Sequence, residues 1–348
     1  MKIYRSTAII LSLFIVVSLG KGNGLAIECS HPALPEASDA LLRSDEVEVS
    51  TVEVDSWDGI APAEADDNIY YAFRPRNTAP TTAFIFLPGG NSDPVAYAPA
   101  AHQMASWGYL IVIVPMPACV AMPVGHLRAD KIISDFEEIE KWAIGGHSAG
   151  GVASCLYAEN HDIIDGLVLW AAVPPNFLAN TRLKAISIYG SEDGRLSPET
   201  VDQFAILLPA DTAYVEIEGG NHTQFAYYDT SPDAYLENDK PATITLEAQH
   251  EIIVSATSDF LGDMPQRSQP DGACPAAKLL GEESPQLDII RQLRDKIMKK
   301  SAAGRKLIGL YYKNGDIIIS IFDRHPGVRR TAKNIIELLV PVITQIVK

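Results

Sequence analysis

Residues 141–154 read KWAIGGHSAGGVAS: an apolar run, then four glycines around one serine, Ser148. Inside it, Gly146-His147-Ser148-Ala149-Gly150 fits Gly-x-Ser-x-Gly, a pattern in which a serine sits on a sharp turn from strand to helix. Such a turn holds backbone angles that are unfavourable for a residue with a Cβ. Glycine two positions to either side lets the strand and the helix approach without side-chain clashes. The helix beginning there points N–H groups and the positive end of its dipole at the hydroxyl. This meaning requires a strand before the serine and a helix after it, and WAIGG and GVASCLYAEN read that way.

Working outward, DEVEVSTVEV (45–54) alternates polar and apolar residues as a half-exposed strand does, and NIYYAFRP (68–75) continues as a second strand. TTAFIFLPGG (81–90) and YLIVIVPMP (109–117) are nearly all apolar, the mark of strands buried on both faces. A helical stretch, VAYAPAAHQMASWG (95–108), lies between them. Residues 128–143, RADKIISDFEEIEKWA, place Ile132, Ile133, Phe136 and Ile139 on one face of a predicted helix. Beyond the serine, strands are expected at 164–172, 183–194 and 212–222, with helices at 198–209 and 246–261. Antiparallel-looking strands followed by alternating strand and helix predict an α/β domain with a mostly parallel sheet flanked by helices. Functional residues in such sheets gather beyond the carboxyl ends of the strands.

Hydrolysis by a serine needs a base and an acid that orients it. At this kind of turn the chain order is serine, then Asp or Glu, then His. YGSEDG supplies Asp193 directly after one strand, with Glu192 as its rival, and EGGNH supplies His222 after the next. The oxyanion of the reaction needs N–H donors. Ala149 is the expected first, and the loop LPGGNSDP supplies the second through Gly90 or Asn91. His147 reads as a ring that packs or fixes the turn. His31, His102, His126, His161, His250 and His325 read as structural or surface residues. No Gly-Lys-Ser/Thr follows the Gly90 loop, which excludes a P-loop. The chemistry asks for no cofactor and no metal.

With these residues assembled, residues 45–264 resemble an α/β-hydrolase. The likeness is to the compact group that includes dienelactone-hydrolase-like and cutinase-like enzymes. FLPGGNSDPVAYAPAAHQMASWGYLIVIV resembles that group's oxyanion loop with the helix and strand after it. GGHSAGG resembles its serine turn, YGSEDGRLSP its acid loop and GGNHTQF its histidine loop. The resemblance implies Ser148 as nucleophile, His222 as general base and then acid, and Asp193 as its partner. Two departures stand out: Pro88 where many relatives have His, and an acidic insertion after His222. That insertion is expected to be a solvated loop, with a calcium site as the alternative.

The net charge of −16 is unevenly spread. Residues 27–264 hold 10 Lys and Arg against 36 Asp and Glu, while residues 265–348 hold 15 against 8. This reversal beside MPQRSQPDGACPAA marks a domain boundary near residue 265, and the acidic part argues against nucleic-acid binding. Residues 265–348 form a basic, helical C-terminal module. They resemble CFI-box modules through the core LRDK…GRKLIGLYYK, although Cys274 is followed by Pro275. The resemblance implies surface sorting or attachment. A helical bundle and an element that contacts a membrane surface or the cell envelope both fit.

MKIYR followed by STAIILSLFIVVSLG and small residues near Ala26 predicts a signal peptide over residues 1–26 and an exported protein. Cys29, Cys119, Cys155 and Cys274 match no zinc spacing and allow two disulfides without fixing a pairing. The expected function is an exported serine hydrolase that cleaves carboxylic esters of small molecules or polymers. The alternatives are acyl transfer or peptide cleavage by the same three residues, or a surface-binding protein on a hydrolase scaffold.

Overall fold

The computed structural model describes residues 29, 31–54, 57, 68–116, 119, 125–228, 238–265, 274–281, 283–298 and 301–347. The expected signal peptide and residues 229–237 of the acidic insertion lie outside them. The chain divides into two compact units: Met1–Ile132 with Glu138–Pro265, and Ile133–Glu137 with Gln266–Lys348.

The first unit opens with α1 (Pro35–Asp39), β1 (Val47–Glu53), β2 (Ile69–Pro75), β3 (Thr82–Leu87), α2 (Ala98–Ser106) and β4 (Leu110–Ile113). It continues through α3 (Ala129–Asp135), of which Ile133–Asp135 are counted with the second unit, then β5 (Lys141–His147), α4 (Ala149–Asn160), β6 (Gly166–Trp170) and β7 (Lys184–Gly190). It closes with α5 (Pro198–Phe204), β8 (Ala213–Ile217) and α6 (Leu246–Asp263). Among the described residues, eight strands form one sheet in the order β1-β2-β4-β3-β5-β6-β7-β8. Only β1–β2 and β2–β4 are antiparallel. The apolar runs become the inner strands: every residue of β3, β4 and β6 is buried, whereas edge strand β8 is mostly exposed. Helices α2 and α6 pack against each other and onto the sheet, and α4 packs on β3, β5 and β6. Phe73, Phe84, Phe86, Trp170, Ile188, Ile253 and Phe260 belong to the main core. Burying each such side chain stabilises the fold by about 1.5–3 kcal/mol.

Several elements are shorter than their sequence patterns, and the helix expected over 128–143 is shortened most. Helix α3 ends at Asp135, and Phe136 and Ile139 are buried from the turn that follows it. Parallel pairing with β3 overrides the helical spacing: Lys141 lies opposite Thr82, and the N–H groups of Glu140 and Lys141 both donate to the Thr81 carbonyl.

The second unit carries α7 (Pro275–Leu280), α8 (Pro285–Lys296), α9 (Ala302–Lys313), α10 (Gly315–Arg324) and α11 (Pro326–Val347). Its small core joins Ala276, Ala277 and Leu287 with Cys274, Ile290 and Tyr311. The Arg294 guanidinium donates to the Tyr312 hydroxyl at 2.7 Å. None of the described helices is long and apolar enough to cross a membrane.

Cysteine pairing, which the sequence leaves open, is one disulfide, Cys29–Cys119. Cys155 is a buried free thiol and Cys274 a half-buried one.

Candidate active site

Ser148 stands between the last residue of β5 and the first of α4, with φ 51° and ψ −119°. A non-glycine residue held there costs about 1–3 kcal/mol, which the surroundings must impose. They do so on both sides: the Ser148 N–H donates to the Trp170 carbonyl of β6 at 2.9 Å, and its carbonyl receives the Val152 N–H at 3.1 Å. The flanking glycines answer to close approach. A Cβ on Gly146 would run into the Leu87 carbonyl, and one on Gly150 into the carbonyls of Leu87 and Pro88. The strand before the serine is buried, while Ser148 and Ala149 reach partial exposure.

Asp193 follows β7 and His222 follows β8. The Asp193 carboxylate is fully buried and lies 2.7 Å from His222 Nδ1. Its other oxygen accepts the N–H groups of Arg195 at 2.8 Å and Leu196 at 2.6 Å. A hydrogen on Nδ1 leaves Nε2 as the basic nitrogen. Nε2 is buried without a hydrogen-bond partner among the described residues, so the Ser148 hydroxyl is not bonded to it in this structure. The His222 ring centroid is nevertheless 4.7 Å from that of His147, the residue before Ser148. Glu192, the rival carboxylate, makes no hydrogen bond to His222 among the described residues; its N–H donates to the Gly220 carbonyl.

His147 is held by a pair of tyrosines. Its Nδ1 lies 2.9 Å from the Tyr97 hydroxyl, which also meets the Tyr228 hydroxyl at 2.7 Å and accepts the Gly89 N–H at 3.0 Å. Burial pushes Tyr97 up to about 12 and Tyr228 well above the ordinary phenol value. Burial, and then the neighbouring His222, hold His147 well below the usual histidine value. This network is therefore uncharged near neutral pH.

The loop after β3 distinguishes the two candidate oxyanion donors. The Asn91 N–H donates to the Cys119 carbonyl at 2.8 Å, which removes it from the choice. The N–H groups of Gly89, Ser92 and Asp93 are also engaged, by Tyr97, the Gly89 carbonyl and the His31 carbonyl. Gly90 alone of this loop donates no N–H bond among the described residues, and a Cβ placed on it would stand 3.6 Å from the Ala149 Cβ. Among the described residues, no three His, Cys, Asp or Glu side chains are grouped to hold a metal ion.

Residues 83–251 match the family model described as the alpha/beta hydrolase family. This segment has the α/β-hydrolase fold. Residues 265–348 lie outside the match. Among solved structures, the chain is similar to a thermophilic esterase from the planctomycete Thermogutta terrifontis, with 15% identity and a TM-score of 0.41. That similarity covers 65% of this chain and 95% of the esterase. It is also similar to a dienelactone hydrolase-like promiscuous phosphotriesterase from metagenomic libraries, with 12% identity and a TM-score of 0.46, over 63% of this chain and 99% of that one. No curated protein matches the chain.

The α/β-hydrolase domain contains supports that the sequence reading missed. Asp239 clamps the acid and histidine loops together. One of its oxygens accepts the N–H groups of Gly194 at 3.0 Å and His222 at 3.3 Å; the other accepts the N–H and hydroxyl of Thr223 at 2.7 and 2.6 Å. Gln249 of α6 accepts the Asn221 N–H at 3.0 Å and donates to the Asn221 carbonyl at 2.8 Å. A glutamine on the apolar face of a helix was the available signal. Asp239 offered none, because its partners come from two loops distant in sequence.

Proposed function

We propose that this α/β-hydrolase domain is a serine hydrolase of carboxylic esters. The observation that carries the proposal is the buried 2.7 Å bond between His222 and Asp193, set beside a serine held at φ 51° on the turn between strand and helix. In the proposed reaction the Ser148 hydroxyl attacks the ester carbonyl while His222 Nε2 takes its proton. Asp193 keeps the Nδ1–H hydrogen bond and stabilises the imidazolium. The N–H groups of Ala149 and Gly90 receive the oxyanion, each worth about 3–4 kcal/mol in the transition state. Collapse of the tetrahedral adduct expels the alcohol, which takes the proton from His222 and leaves the acyl group on Ser148. Water, deprotonated by His222, then releases the acid. The neutral His147 matters here, since a charge 4.7 Å from His222 would oppose its protonation.

Hydrolysis of p-nitrophenyl acetate by the wild type, abolished in a folded Ser148→Ala variant, is the expected result. A folded wild type that hydrolyses no acetate, butyrate or long-chain ester would overturn the proposal.

We further propose export, supported by the basic head and apolar run of residues 1–20 and by the Cys29–Cys119 disulfide, a bond favoured in oxidising compartments. For residues 265–348 we propose contact with an anionic membrane surface. Helix α11 exposes Ile335, Leu338, Leu339, Val342 and Ile346 within a segment that carries 15 cations against 8 anions.

A further inference from the structure

The short segment ahead of α1 lies along the loop that carries Gly90. His31 bridges Ser92 in parallel. Its N–H donates to the Asn91 carbonyl and its carbonyl accepts the Asp93 N–H, both at 3.0 Å. The Ala33 N–H donates to the Asp93 carboxylate at 3.3 Å, and the Leu34 N–H to the Tyr227 carbonyl at 2.8 Å. At its start, Cys29 is bonded to Cys119, whose carbonyl accepts the Asn91 N–H. Asn91 and Cys119 both hold left-handed backbone, with φ 59° and 58°. Asparagine visits such angles readily, whereas a cysteine keeps one only where its surroundings impose it. The disulfide, the strap and the turn in which the Cys119 N–H donates to the Met116 carbonyl at 3.0 Å supply that constraint, and the loop N–H they leave undonated among the described residues is that of Gly90.

We infer that the Cys29–Cys119 bond is a redox-sensitive positioning device for the oxyanion loop. This rests on the serine-hydrolase proposal and extends it to regulation of the same site. When a dithiol reductant breaks the Sγ–Sγ bond, it is oxidised to its own disulfide and each cysteine sulfur takes one proton. Cys119 then relaxes from φ > 0, its carbonyl moves off the Asn91 N–H, and Gly90 leaves the position facing Ala149. Ground-state contacts elsewhere in the site persist. The effect therefore falls on turnover rather than on substrate binding. Cys155 and Cys274 are already free thiols, so among the described residues reduction changes this bond alone.

The test measures kcat and KM of the full chain on p-nitrophenyl acetate in three states: oxidised, reduced with dithiothreitol, and reoxidised. A Cys29→Ser/Cys119→Ser variant is measured beside them, with circular dichroism on every sample. Losing one oxyanion donor costs about 100- to 1,000-fold in kcat, and misplacing one is expected to cost roughly tenfold to a hundredfold. The expected result is a kcat loss in that range on reduction, KM within about twofold, recovery on reoxidation, and the same deficit in the variant. Binding of a trifluoromethyl ketone, which forms the tetrahedral oxyanion, is expected to weaken in step with kcat; a merely stabilising bond would not produce that correlation. Unchanged kcat in the reduced, folded wild type overturns the inference. So does unfolding on reduction, which would make the bond a global staple. Should the double variant not fold, reduction of the folded wild type carries the test. An oxidised wild type without ester turnover fails earlier, at the serine-hydrolase proposal itself.

Discussion

In the unit that holds Ser148, the apolar sequence disappears into the molecule: β3, β4 and β6 are buried end to end. In the helical unit the opposite holds along α11, where Val328, Ile335, Leu339, Val342 and Ile346 are about half exposed at spacings of three, four and seven residues. The surfaces differ as well, since residues 27–264 carry a large excess of Asp and Glu and residues 265–348 an excess of Lys and Arg. The first unit completes its own core and directs its unusual geometry inward, at one hydroxyl. The second leaves an apolar stripe exposed along α11, the feature on which the proposed membrane contact rests. Under the proposed function, chemistry belongs to the first unit and attachment to the second.

Substitutions sharpen this division, and the largest effects belong to the first unit. Ser148→Ala and His222→Ala are each expected to lower kcat by about a million-fold in steady-state ester hydrolysis. Asp193→Asn is expected to cost about 10⁴-fold by disturbing the His222 tautomer, whereas Glu192→Gln stays within about twofold, as parallel kinetics would show. Asp239→Ala releases the N–H groups of Gly194, His222 and Thr223 together. A displacement of the imidazole by about 1 Å is expected to lower kcat on the order of 100-fold, with the fold retained by circular dichroism.

In the second unit, Ile335→Glu with Leu339→Glu is expected to leave ester turnover unchanged and to abolish cosedimentation with phosphatidylglycerol vesicles. Vesicle binding that survives both charges, or turnover that falls with them, would break the division of labour.

The smallest effect is a pH slope. Burial lowers His250 to about 3 and His147 well below its ordinary value, so both stay neutral in the folded protein while the unfolded chain protonates them below about 6.5. The unfolded state then binds more protons, so stability falls as pH drops below about 6.5, and for His250 the fall continues toward pH 3. Denaturant titration of His250→Gln against the wild type across that window should show one proton less of slope.

What the sequence disclosed and what it hid follow from distance along the chain. The serine turn is a local pattern, and Asp193 and His222 each lie in the loop after a strand, so the places of all three in the fold could be read from order and position. Choosing Gly90 over Asn91 needed the partner of one backbone N–H, which is the carbonyl of Cys119 in another loop. Cys29 and Cys119 are 90 residues apart, and Asp239 reaches back 45 residues to Gly194. No periodicity encodes such meetings. The helix predicted over 128–143 ran long because Phe136 and Ile139 keep helical spacing through what is, in the folded chain, the turn into β5.

The most direct measurement is mass-spectrometric mapping of a fluorophosphonate adduct on the native full chain. One phosphonyl group on the peptide carrying Ser148, absent in Ser148→Ala and strongly slowed in His222→Ala, is the predicted result. A folded wild type that takes up no label, or takes it at another residue while Ser148 stays free, would contradict the assignment of this serine as the nucleophile.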